Sequence, residues 1–366
     1  MLRGLSWRNF DFLLLGAVVL ASAFGITMIR SAIAGNEELL PLATRQIYFA
    51  AIGMVVIFLL ASIDYRYWLA LYLPIYFVTM GLLISLSSLG QVAFGAQRWF
   101  TVGVLFLQPT EFAKISVILI LARYFEKSQD KPRDLNWLMK SLVWLWGLVI
   151  WILLQPNLSN VIVTMVIWIF MVWMNRIELK QIAWMGLAAV LAIGIAFPFL
   201  QTYQQDRIIT FLLPDPNASY GATYNVQQAL IAIGSGGLFG EGYGHGTQTQ
   251  LRFLKVRHTD FIFSATSEEF GMIGGVLIIC ILGFIVWRCI RAAQKSRDLA
   301  GSMIAFGVAA LLFFQGAANI AVNMNLIPVS GLPLPFISYG GSGLMSLMIA
   351  IGLVESVAMR HQELQF

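Results

Sequence analysis

The stretch Arg257-His258-Thr259-Asp260-Phe261-Ile262-Phe263-Ser264 decides how this chain is read. It closes the one long internal segment, Tyr203 to Phe263, that cannot sit in a bilayer, and an apolar run begins at Ser264. Outward from that boundary, in both directions, the sequence falls into apolar blocks of about 20 residues, the length a helix needs to cross ~30 Å of hydrocarbon. Apolar residues make up 59% and charged residues 11% of the 366, against roughly 45–50% and about 25% in soluble domains. The composition excludes a soluble globular protein. It predicts an all-α, polytopic integral membrane protein, a single domain over 1–366.

Ten spans are expected, at 11–30, 45–63, 68–88, 108–125, 138–155, 158–175, 179–200, 264–290, 300–324 and 341–359. The first block, Phe12 to Ile29, is long enough to span and lacks a clear small-residue cleavage site, so it reads as a span rather than a leader. Arg8, Arg66, Lys127, Lys131, Arg133, Arg176, Lys180, Arg288, Arg291, Lys295, Arg297 and Arg360 fall on one set of connections. By the positive-inside rule both termini are cytoplasmic, and the loop 201–263 faces outward. The net charge of +5 is thereby topology rather than a sign of nucleic acid. Cys280 and Cys289 share one apolar segment and read as packing residues.

Charge inside a span is costly and marks function. Glu111 and Lys114, three apart, share a helix face behind Pro109. They are either a neutralising structural pair or the charged wall of a water-filled cavity. Asp260 precedes a helix N-terminus, and Thr266-Ser267-Glu268-Glu269 has the form of a capping box. Spacing alone leaves Asp260 as a helix cap or as a base. Arg257 and the helix end favour its ionised form. Arg207, Arg252, Lys255 and Arg257 place cations in an outward loop, suited to an anionic ligand or to a solvated surface. Gln315, Asn319, Asn323 and Asn325 put amides in an apolar span, as interhelical hydrogen bonds or as a polar cavity lining. The proline- and glycine-bearing run Asn325–Ser342, which includes Ser338, cannot be regular helix. At membrane depth such backbone must be buried in protein or line a cavity.

Other patterns carry less. The glycines between 234 and 246 lack nucleotide-fingerprint spacing and read as a mobile outer loop. Ser128-Gln129-Asp130-Lys131 has the S-x-x-K form but no companion motifs. His245, His258 and His361 make no metal pattern. The stretch from Gly90 to Phe100 mixes glycine, polar and aromatic residues, as in a segment lying at the interface.

Four motifs together resemble the SEDS family (shape, elongation, division and sporulation proteins), over nearly the whole chain: Gln108-Pro109-Thr110-Glu111-Phe112-Ala113-Lys114, Ala232-Ile233-Gly234-Ser235-Gly236-Gly237, His258-Thr259-Asp260-Phe261-Ile262-Phe263, and Pro333 to Ser342. The Ser267–Gly271 stretch and the short N-terminus are similar to the elongation members rather than the division members. The resemblance implies a fold similar to GT-C glycosyltransferases. It also implies a peptidoglycan glycosyltransferase in the bacterial cytoplasmic membrane that polymerises lipid II. The expected partners are a transpeptidase of the class B penicillin-binding type and other elongation-complex membrane proteins. The family's essential aspartate falls on Asp260, and its fourth-span acid and lysine fall on Glu111 and Lys114. Arg207, Arg257, Gln315, Asn319 and Ser338 are the candidate substrate contacts. Mg²⁺ or Mn²⁺ is the only cofactor implied, with ligands unknown and no organic cofactor expected. Two positions depart from the family pattern: Asn157 in place of an acid, and Lys255-Val256 where Pro-Glu is common. A lipid II flippase and a non-catalytic scaffold for a penicillin-binding protein stand as alternatives. Glycan formed from substrate supplied in detergent separates them from the enzyme.

Overall fold

The computed structural model describes residues 7–360, apart from 90, 94–95, 103–104, 176, 178–179, 182, 185, 188–193, 195–196 and 215–220. The helices are α1 (Phe12–Ile33), α2 (Leu40–Ser62), α3 (Tyr65–Ala70), α4 (Tyr72–Leu89), α5 (Pro109–Lys127), α6 (Leu135–Leu154) and α7 (Leu158–Met174), then α8 (Thr202–Leu212), α9 (Gly221–Ser235), α10 (Thr247–Gln250), α11 (Ile262–Gln294), α12 (Leu299–Asn323) and α13 (Gly341–Ala358). Among the described residues, helices stand at nine of the ten expected spans. The tenth, 179–200, lies largely outside the described residues. Six of the helices, α1, α2, α6, α11, α12 and α13, are long and apolar enough to cross a membrane. The chain is a multi-pass helical membrane protein.

Burial ranks the helices. In their most apolar windows α13 is 83% and α12 72% buried, against 22% for α2. So α12 and α13, with α5, form the centre, and the other spans wrap them. Small residues permit the approach. A Cβ on Gly352 would lie 2.8 Å from Leu60, and one on Gly53 would lie 2.5 Å from Met348, which seats α13 against α2. The far side of α2 turns Tyr48, Ile52, Val55 and Leu59 outward, a helical stripe suited to acyl chains.

At one end of the bundle Asp11, Asp134 and Asp298 cap α1, α6 and α12, accepting from the N–H groups of Leu14, Trp137 and Gly301 at 2.8–3.0 Å. Asp260 lies at the opposite end. There, between α4 and α5, sequence reading expected an interfacial loop. The structure instead has a small antiparallel sheet, β1 (Gln91–Ala93), β2 (Ala96–Val102) and β3 (Leu105–Leu107), in that order. Pairing Gln91 with Trp99 and Phe100 with Leu107 satisfies backbone that has left a helix beside a membrane.

The glycine run is also placed differently from the mobile loop expected. It packs into a break in α11. Gly271 takes φ +64° inside that helix. The N–H groups of Glu241 and Gly242 donate to the carbonyls of Glu268 and Glu269 at 2.9 and 3.0 Å, and Met272 N–H donates to Gly237 at 2.9 Å. The loop thus supplies the partners that the broken helix lost. Glycine is required here because a Cβ on Gly236 would lie 1.9 Å from the Ser267 carbonyl.

Candidate active site

The expected capping box is not formed. Helix α11 begins at Ile262 behind Phe261, with no side-chain cap, so the Asp260 carboxylate is not engaged as a cap. Thr266 lies inside α11 and donates back to the Ile262 carbonyl at 2.8 Å. Glu268 serves a different helix. Its buried carboxylate accepts from the N–H groups of Gln248 and Thr249 at 2.6 and 3.0 Å, and from the Thr249 hydroxyl at 2.6 Å, at the start of α10.

What fixes Asp260 is its own carbonyl. The side-chain amides of Asn319 and Asn323, four residues apart on α12, donate to it at 3.0 and 2.9 Å. Both asparagines are buried. Asn323 is held by Ser264, whose N–H and hydroxyl donate to its Oδ1 at 3.0 and 2.6 Å. The neighbouring residues are held as firmly. Ser338 donates its hydroxyl to the Thr259 carbonyl at 2.6 Å, and Tyr339 N–H donates to the His258 carbonyl at 2.9 Å. Within the irregular 325–340 segment, residues 332–338 are largely buried, and this part grips the loop that carries the aspartate, while Asn325, Pro328 and Val329 line a cavity. Gly331, at φ +70°, comes close enough that its Cβ would lie 3.8 Å from Asp260 Oδ2.

From there a polar chain runs into the bundle. Asn319 also donates to the Leu332 carbonyl at 2.8 Å. Gln315, one turn earlier on α12, donates to the Pro333 carbonyl at 3.0 Å and accepts from Lys114 Nζ at 3.1 Å. Lys114 Nζ pairs with Glu111 at 2.8 Å, with both side chains almost wholly buried, and Ser346 of α13 donates to the same carboxylate at 3.4 Å. The two charges are a hydrogen-bonded ion pair within the helix bundle, not the wall of an open cavity. Pairing is what makes burial of the two charges tolerable.

The outward cations divide. Arg207, on α8, donates to the Val329 carbonyl at 3.3 Å and faces a cavity of about 170 Å³ that Gln227 and Asn325 also line. Its charge bears on Asp260. Burial pushes the Asp260 carboxyl above its ordinary range, and Arg207 and the Thr259 hydroxyl pull against that. Sequence reading had Arg257 and the helix end setting this balance in the ionised direction. Arg257 is instead buried, with its guanidinium donating to the Ala32 carbonyl at the end of α1. It depresses the neighbouring His258, which burial and that charge together bring down to about 4. His258 is neutral at pH 7.

Of the residues picked from sequence, the structure gathers Asp260, Arg207, Asn319, Gln315, Ser338, Lys114 and Glu111 into one connected group. Arg257 stands apart from it. Gln315, Asn319 and Ser338, read as substrate contacts, have their polar atoms engaged with protein and frame the aspartate. Asn323 was noted only as one of several amides. Its one-turn spacing from Asn319 was the available signal. Among the described residues, no three His, Cys, Asp or Glu side chains group closely enough to hold a metal. The described residues thus form no all-protein cage for Mg²⁺ or Mn²⁺. Asn157, where an acid is common, is buried at the start of α7. The Asp260 carboxyl is thus set between burial and the Arg207 charge, on a backbone held by two asparagine amides.

Asp260 with Arg207, joined through Asn319 and Gln315 to the buried Glu111–Lys114 pair, sits at one end of a helical membrane bundle. The family model described as "Cell cycle protein" (FtsW/RodA/SpoVE) matches residues 4–363. The chain belongs to that family. The Escherichia coli K12 protein "Peptidoglycan glycosyltransferase MrdB" is 34% identical, over 86% of this chain and 84% of its own length. A "Probable peptidoglycan glycosyltransferase FtsW" from Thioalkalivibrio sp. K90mix is 36% identical, over 97% of this chain and 91% of its own. Among solved structures, a chain from work described as "Structural coordination of polymerization and crosslinking by a peptidoglycan synthase complex" superposes with TM-score 0.82 at 28% identity. That match covers 98% of this chain and all of the other.

Proposed function

We propose that the chain is a peptidoglycan glycosyltransferase that polymerises lipid II. The observation that carries this reading is Asp260, half-buried beside Arg207 and pinned by two buried asparagines. The names borne by the similar MrdB and FtsW proteins support it. Asp260 accepts the proton of the acceptor sugar's 4-hydroxyl while that oxygen forms a bond to the donor's anomeric carbon. The bond from that carbon to the pyrophosphate oxygen breaks, and undecaprenyl pyrophosphate leaves with the electron pair. Arg207 is the cation placed to offset the charge on the leaving group. Lys114, paired and buried, acts through the frame rather than by contact.

The Asp260 end faces outward and both termini are cytoplasmic, as the Lys and Arg distribution supports. A class B penicillin-binding transpeptidase is the partner. The structural similarity to a chain of a complex that couples polymerisation to crosslinking supports it. Elongation rather than division is the process, on the Ser267–Gly271 stretch.

The test uses purified chain, with and without the transpeptidase, and labelled lipid II in detergent. Wild type forms glycan and Asp260→Asn forms none while still binding lipid II. Polymer at the wild-type rate from that variant ends the base assignment. Absence of polymer from wild type under both conditions favours a flippase or a scaffold instead.

A further inference from the structure

At the end of the bundle opposite Asp260, a cavity of about 530 Å³ opens between the start of α1, the end of α11 and the end of α13. Four cations line it, Arg8, Arg288, Arg291 and Lys295, with one carboxylate, Asp11. That carboxylate is already engaged. It accepts from Arg288 Nε at 2.7 Å and caps α1 at Leu14 N–H at 3.0 Å. Among the described residues no carboxylate pairs with Arg8, Arg291 or Lys295.

Cations in the last turn of a helix offset its dipole, which accounts for Arg291 and Lys295 lying near the end of α11. It does not account for Arg8, which reaches the same concavity from the separate turn Trp7–Asn9 ahead of α1. Like charges that converge from two elements on one hollow repel each other and raise its affinity for an anion.

The surroundings specify what kind of anion. Phe12, in the cavity wall, is 62% exposed. Beside the cavity Trp287 is half exposed, and the guanidinium groups of Arg288 and Arg291 lie over its ring, each 5.5 Å from the centroid. Tryptophan at the end of a span, next to arginine, lies at headgroup depth. The hollow thus meets the polar headgroups on one side and acyl chains on the other. Its size falls in the range of small-ligand sites, roughly 300–1,000 Å³.

We propose that this cavity binds the phosphate of an anionic membrane lipid, with Arg8, Arg291 and Lys295 as its contacts and Phe12 against the first methylenes of the acyl chain. Arg288 has a supporting role, since it holds Asp11. The site is separate from the glycan chemistry, for the whole length of α11 lies between it and Asp260.

The experiment uses full-length protein in nanodiscs of phosphatidylcholine doped with phosphatidylglycerol, released and weighed by native mass spectrometry. Wild type retains phosphatidylglycerol in preference to phosphatidylcholine. The triple variant Arg8→Gln/Arg291→Gln/Lys295→Gln loses that preference, by roughly fivefold per cation and about a hundredfold in all. Arg288 is left in place to protect the cap of α1. If the triple variant does not fold, Arg8→Gln alone, outside the spans, carries the test with a loss of about fivefold. Unchanged selectivity in the variants overturns the proposal. A parallel arm adds millimolar inorganic phosphate. Displacement of the retained lipid by phosphate alone assigns the cavity to free phosphate and overturns the lipid.

Discussion

The side-chain amide of Asn319 donates to the backbone carbonyl of Asp260 at 3.0 Å. The bond crosses from the middle of the sequence to a helix 59 residues later and fixes the aspartate without touching its carboxylate. Asn319→Ala therefore releases the loop but leaves the carboxylate in place. Turnover falls by about 10–100-fold, in keeping with the cost of a displacement of about 1 Å at a reacting group. KM for lipid II changes little. A titration of lipid II against initial rate separates the two. A rise in KM with kcat unchanged would instead make Asn319 a substrate contact.

Asp260→Asn removes activity without loss of stability. Burial raises the Asp260 pKa, so the fold opposes its ionisation. That opposition costs stability at every pH above the carboxyl's unfolded value, and an uncharged asparagine is free of it. The thermal midpoint of the variant at pH 7 is equal to that of wild type or higher. The same direction predicts that the acid limb of the wild-type rate profile lies above the ordinary carboxylate range, with activity lost as pH falls through it.

Lys114→Met leaves the Glu111 carboxylate buried without its cation. Breaking such a pair costs about 3–5 kcal/mol, whereas replacing both charges is often close to neutral. Glu111→Gln/Lys114→Met is accordingly more stable than Lys114→Met alone, as a comparison of thermal midpoints in detergent will show. Equal midpoints for the two variants would mean that the pair is not coupled in the fold.

Gly271→Ala is destabilising for two independent reasons. The residue sits at φ +64°, and a Cβ there would come within 2.5 Å of Leu238 O and Gly240 N. Strain of about 1–3 kcal/mol is expected from the backbone alone. The break in α11 and the glycine loop should loosen together, read as faster amide hydrogen exchange over 236–242 and 268–273.

His258 gives a separate pH signature. Burial and the Arg257 charge hold its pKa at about 4, below the 6.5 of a free imidazole. As pH falls through 6.5 the unfolded chain takes a proton and the folded chain does not. Stability is fully present above that value and declines until the pH reaches about 4. His258→Gln flattens this part of the curve, measurable as thermal midpoint against pH.

Much of this was legible in residue order. Spans announce themselves through about 20 consecutive apolar side chains, since hydrocarbon thickness sets a length that local composition meets alone. Charge inside an apolar span is equally visible, so Glu111 and Lys114 stood out against apolar neighbours, whereas Asp260, at the end of a polar loop, stood out only through its motif. Their bonding partners did not. Nothing near Glu268 in sequence shows that it caps α10, and nothing near Arg257 shows that its guanidinium turns to Ala32 rather than to the aspartate.

Sequence by itself determined that this chain crosses the membrane many times and singled out Asp260 through the motif that carries it. Only the tertiary structure decided what each polar residue near Asp260 does. Asn319, Asn323, Gln315 and Ser338 bind backbone and hold the Asp260 loop, Arg207 alone of the two candidate arginines bears on the carboxyl, and the glycine run mends a broken helix. The physical reason is range. Hydrophobic length is a local property of the chain. A hydrogen-bond partner for a buried group is whatever another helix brings within about 3 Å, and that is set by packing between segments far apart in sequence.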